Sequence, residues 1–228
     1  MERIIISKWF IILVPVIVVS IIRLKPIDIV FRSLNTLIHE LSHAIIALVL
    51  GEKVKQIKIN EDFSGSCLTK SKSKFKAFLV SLSGYCLCAL LSFLMIKYMN
   101  SSFNKYIFYS LIILCMIALI MYIRNSFGII WTVGFLCLNL IIVLVPMAKN
   151  IYPHIIYIYA NIIMIENFFS TLTLLHINIL SSKKSGDSYN LQKSTHIPAM
   201  FWTIFFIVFS AFMIYKSYIH ISQIFILS

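Results

Sequence analysis

Seven apolar runs, at residues 9–22, 34–51, 77–96, 106–123, 127–145, 155–180 and 198–218, are separated by short polar links. Most approach the roughly 20 residues that a helix needs to cross about 30 Å of hydrocarbon. The pattern therefore predicts an all-α polytopic membrane protein with about seven transmembrane helices. Arg23 and Lys25 follow the first run directly, with no small-residue cleavage site, so it reads as a retained span rather than a secretory signal. Pro15 is expected to kink it. The second run stops at Gly51, a natural helix C-terminus.

Two longer polar islands interrupt this series. In residues 52–76, Val54, Ile57 and Ile59 lie among lysines, Asp62 and a Ser-Gly-Ser step follow, and Cys67, Leu68 and Thr69 return to strand-forming types. A small β-hairpin over residues 54–69, at the membrane surface after the second helix, is the expectation. Lys70, Lys72, Lys74 and Lys76 then alternate with Ser and Phe, a spacing suited to lipid headgroup contact. The second island, residues 181–197, precedes the last run.

Composition agrees with the pattern. Of 228 residues, 60% are hydrophobic and 12% charged, and the mean hydropathy is +0.94. This excludes an ordinary soluble domain and leaves room only for a single membrane-embedded domain, residues 1–228. The net charge of +12 does not signal nucleic acid, because the Lys and Arg residues sit mainly between apolar runs, where they orient the chain and meet the lipid bilayer. A cytoplasmic N-terminus places 13 of the 20 on the inner side, with Arg23, Lys25 and Arg32 as outer exceptions. The five cysteines form no CxxC pair and four lie in apolar runs, so they read as small core residues.

The chemistry concentrates in LIHELSHA. His39 and His43 are four residues apart, so a helix puts both on one face, where they can bind one zinc ion, and Glu40 stands beside them as general base. Ionisable groups at membrane depth are costly and mark function. Hydrolytic zinc takes three protein ligands, so a third must come from elsewhere, and Asp187, Glu166, His154, His176 and His196 are the available groups. Glu166 lies mid-run, where a carboxylate needs a partner. His176 also reads as a core histidine bonded to a nearby Ser, and His154 as an interfacial residue. Ser42 and Gly84 read as helix-packing positions.

HELSHA in an early span, a Gly51 turn into a hairpin with a Ser-Gly-Ser step, and SLSGY at the start of the next span resemble the site-2 protease class of intramembrane zinc metallopeptidases. GDSYNLQKSTHIPAMFW resembles a short element of one bacterial branch of that class. The resemblance implies Asp187 as third zinc ligand, with Pro198 and Trp202 opening the final span. It also implies a bacterial cell-membrane location and a transmembrane protein or peptide as substrate. The Asn-Pro…Asp-Gly element of better-known members is missing from this chain. Two other classes compete: a non-enzymatic polytopic protein, either an inactive relative or a small transporter, and a membrane zinc peptidase acting on soluble or lipidated peptides.

Overall fold

The computed structural model describes residues 8–71, 73–145 and 151–226. Arg3, Lys72 and Lys149, which entered the charge count, lie outside them. The described chain is helical apart from one hairpin: α1 (Lys8–Ile21), α2 (Ile27–Val49), β1 (Lys53–Ile59), β2 (Gly65–Lys70), α3 (Lys74–Tyr98), α4 (Asn104–Met121), α5 (Ser126–Leu144), α6 (Tyr152–Leu180), a 3-10 turn (Ser182–Lys184), α7 (Gly186–Thr195) and α8 (Ala199–Ile226).

Among the described residues, α3, α4, α5, α6 and α8 are long and apolar enough to cross a membrane, and the protein is an integral membrane protein. The expected count of seven reduces to these five by length and composition. The apolar part of α1, Trp9–Ile21, is shorter. The 23-residue α2 is long enough, but Arg32, Asn35, His39, Glu40 and His43 lower its hydropathy.

The second helix also starts earlier than the apolar run at residue 34 predicts, because α2 begins at Ile27. Pro26 precedes the first helical residue, where a missing N–H costs nothing, and Asp28 in the first turn suits the positive helix end. Arg32 therefore belongs to the same helix as the histidines. At the other end Gly51 takes φ +70°, and Gly51 and Glu52 donate their N–H groups to Leu48 and Ala47 at 3.0 and 2.8 Å. This double bond is a Schellman closure, which turns the chain directly into β1.

Helices α2, α3 and α6 form the centre of the bundle, and β1 packs on α2 through Ile57 and Ile59, both fully buried. The hairpin is antiparallel, from Lys53 opposite Lys70 to Ile59 opposite Gly65. The outer edge of β1 is occupied: Ile57 donates to the Tyr122 carbonyl at 2.8 Å, Arg124 donates back to Ile57 at 3.3 Å, and the Asn125 amide pairs with both backbone groups of Ile59. The outer edge of β2 borders a cavity. Lys76, expected at headgroups, instead bonds the Leu50 carbonyl at 2.6 Å and lies 3.5 Å from Glu52, so it closes the end of α2.

The second polar island folds back into the bundle. Its short helix α7 packs against α3 and α8, with Leu191 fully buried among Leu174, Trp202 and Phe206. Ser188 and Asn178 both meet the Thr203 hydroxyl, at 2.9 and 2.8 Å. His196 in the left-handed region ends α7. Gln192 then accepts from the Ala199 N–H at 2.8 Å and the Trp202 indole donates to Thr195 at 3.2 Å, tying the start of α8 to α7.

Candidate metal centre

Helix α2 presents His39 and His43 one turn apart, and the first turn of α7 brings Asp187 to meet them. His39 Nε2 and His43 Nε2 are 3.1 Å apart, and Asp187 Oδ2 is 3.1 Å from the first and 3.2 Å from the second. Among the described residues this trio forms the metal-competent group of His, Cys, Asp or Glu side chains. No metal is part of the structure, and the donor set itself tests the fit. His43 Nδ1 lies 2.7 Å from the Val80 carbonyl, which can only accept, so this nitrogen carries a proton and Nε2 is the ring atom turned into the site. A histidine nitrogen of the other ring and a carboxylate oxygen face it at the same spacing. Ligands at 2.0–2.1 Å from a tetrahedral zinc are about 3.3–3.4 Å apart, close to these separations. A cation fits this triangle of acceptors.

Burial alone would raise the Asp187 carboxyl, but the two imidazoles facing it more than offset that and hold it below the usual carboxylate range. The carboxylate is thus ionised and available as a ligand. Cys67 on β2 behaves differently: burial first, then the nearby Glu40 and Asp187 charges, push its thiol up to about 12. It remains a thiol and stays outside the trio.

Helix α3 shapes the other wall. A Cβ at Gly84 would come within 2.5 Å of His39 Cε1 and 2.6 Å of His43 Nε2, so the SLSGY segment leaves space for the rings themselves. Tyr85 stacks edge-on against His39 with centroids 4.5 Å apart, and Ser83 sits 3.4 Å from His43 Nδ1. The sequence reading took Gly84 as a helix-approach position and missed Val80 and Tyr85, which nothing in their residue types distinguishes. Gly84→Ala is expected to weaken zinc binding by about 10–100-fold, the size of effect seen when ligand orientation is disturbed, measurable by metal titration of the purified protein.

Glu40 is 5% exposed and points across the site to the hairpin. A Cβ at Gly65 would overlap Glu40 Oε1 and lie 2.8 Å from its Cδ, so only glycine lets β2 approach this carboxylate so closely. Ser42 bonds its own helix at the Ile38 carbonyl, 2.7 Å, which is a packing role.

The other candidate ligands are placed elsewhere. Glu166 pairs with Arg32 at 2.8 Å and Arg23 at 3.5 Å, which provides the partner that a mid-run carboxylate requires. His154 packs edge-on against Phe10 at 4.9 Å, and His196 is an exposed turn residue. His176, expected in the core, is exposed on α6.

The trio, Glu40 and the outer edge of β2 open into one cavity of about 590 Å³, walled on its far side by α6 and α7. Arg32 lines it near the hairpin turn, with its guanidinium stacked 3.9 Å over Phe63, and the Thr36 hydroxyl bonds the Phe63 carbonyl at 2.9 Å. The model of one protein family, described as Peptidase M50B-like, matches residues 10–217. No curated protein and no solved structure matches the chain.

Proposed function

Since the chain belongs to the Peptidase M50B-like family, within the site-2 protease class, we propose that it is an intramembrane zinc endopeptidase that hydrolyses a peptide bond in or near a transmembrane segment of another protein. The observation that carries this reading is the triangle of His39, His43 and Asp187, with Glu40 against Gly65 of a strand that borders the same cavity. His39, His43 and Asp187 would hold the zinc. When bound, zinc supplies Lewis acidity, polarising the scissile carbonyl and bringing the pKa of water from 15.7 to about 7.

The protein's own residues do the rest. Glu40 takes the proton of the attacking water and later gives it to the leaving amine. Peptide bonds of a transmembrane helix are hydrogen-bonded internally, so the substrate must unwind before attack. The outer edge of β2 offers the unwound stretch a new set of backbone partners by strand addition, while β1 is closed off by Tyr122–Asn125 and cannot compete. Gly65 marks the position on that edge closest to Glu40. The whole chain acts as one membrane-embedded domain, with the N-terminus cytoplasmic as the charge bias indicates.

The test is to express the parent and Glu40→Gln proteins in their source membrane and map new peptide termini. New termini inside transmembrane segments, present with the parent only and suppressed by a zinc chelator, are expected. An identical set of termini in both strains, with the parent fully loaded with zinc, overturns the proposal in favour of a non-enzymatic role.

A further inference from the structure

A second cavity of about 390 Å³ adjoins the first and shares Thr69, Val80, Ser81 and Asn190 as walls. Its remaining lining includes Lys74, Lys193, Ser71 and Ser194, and no acidic residue. Among the described residues neither lysine forms a salt bridge, and Lys193 has its ammonium 4.3 Å over the Tyr189 ring instead. Lys74 is the first residue of the 25-residue helix α3, whose N-terminus, capped by Ser73, adds partial positive charge from the backbone. Two lysines, serine hydroxyls and a helix N-terminus thus line a hollow that adjoins the reaction cavity.

The strand β2 connects the two. Gly65 lies against Glu40, and Thr69, four residues further along the same strand, is already a wall of the second cavity. At about 3.3 Å per residue, a peptide paired with the edge of β2 and cleaved beside Glu40 carries a residue about three to five positions away into the hollow. We propose that this hollow is a specificity subsite for a carboxylate of the substrate, located about three to five residues to one side of the scissile bond. The inference rests on the proposed proteolytic reading. An acidic side chain and the free C-terminus of a previously trimmed substrate share this chemistry.

The probe is a synthetic apolar 20-residue peptide with a central Asn-Gly pair, carrying Asp, Asn or Lys four residues to either side, and a fourth peptide that ends there in a free or amidated carboxyl. Binding to zinc-loaded Glu40→Gln protein in neutral nanodiscs is read by fluorescence anisotropy. The Asp peptide, on one side only, is expected to bind roughly tenfold more tightly than its Asn counterpart. In the Lys74→Ser/Lys193→Ser background, with zinc content intact, that ratio is expected to fall to about one, and Lys74→Glu/Lys193→Glu is expected to prefer the Lys peptide. The end-group peptide assigns the source: a preference for the free over the amidated terminus indicates a trimmed substrate, and Asp preference alone an internal acidic residue. Equal binding of Asp and Asn peptides, or a preference that survives both lysine changes, overturns the subsite. So does an effect of the lysine changes that is the same for every peptide and appears only in nanodiscs of anionic lipid, which assigns the lysines to headgroups. Failure of the parent to cleave any peptide counts against the proteolytic reading and leaves the binding ratios to judge the subsite.

Discussion

Glu40→Gln protein is expected to bind zinc as the parent does and to lose hydrolysis by roughly 10²–10⁴-fold, the range that general acid–base catalysis contributes. Glu40 is not one of the three converging donors, so its amide should leave the metal in place. Glutamine has the same shape and fits the same close approach of Gly65. What it loses is the ability to accept a proton. Zinc content by atomic emission and cleavage of a trapped substrate check the two halves separately. A variant as active as the parent would overturn the mechanism, and one that sheds its zinc would place Glu40 among the ligands.

The second large effect separates two carboxylates that both sit in apolar surroundings. Asp187→Ala is expected to abolish stoichiometric zinc, because two histidines alone leave the triangle open on one side. Glu166→Ala is expected to keep zinc and to destabilise the fold instead, by about 1–3 kcal/mol, because Arg32 would then lose its charged hydrogen-bond partner between α2 and α6. Metal content and thermal unfolding of the two purified variants make the comparison. If only Glu166→Ala loses metal, Asp187 is not the ligand.

These two acids also mark the boundary of what residues alone can show. The periodic apolar runs place the helices because burial in lipid depends on length and composition, and those are local properties. The same holds for the histidine pair: four-residue spacing on a helix puts His39 and His43 on one face whatever the rest of the chain does. The hairpin is legible for a similar reason, since alternating apolar positions around a polar turn have few other uses. Resemblance pointed to Asp187, but spacing could not rank it above Glu166, because which carboxylate meets His39 from 148 residues away is a matter of how helices pack.

Tertiary structure brings Asp187 rather than Glu166 to the histidines through contacts with no local signal. Leu191, Ser188 and Thr203 hold α7 back against α8, so the polar island before the last run carries its aspartate to the histidines. Arg32 is drawn into helix α2 and claims Glu166. Glycine at positions 65 and 84 is compatible with a turn or a helix approach by sequence; only the packed chain shows that one makes room for the Glu40 carboxylate and the other for the two imidazoles. The sequence by itself determined the apolar helical runs, the hairpin and the pairing of His39 with His43, because each depends on neighbours in the chain. The third donor, the open edge of β2 and the cationic hollow beside it were decided by which helices meet, because they are built from residues that become neighbours only on folding.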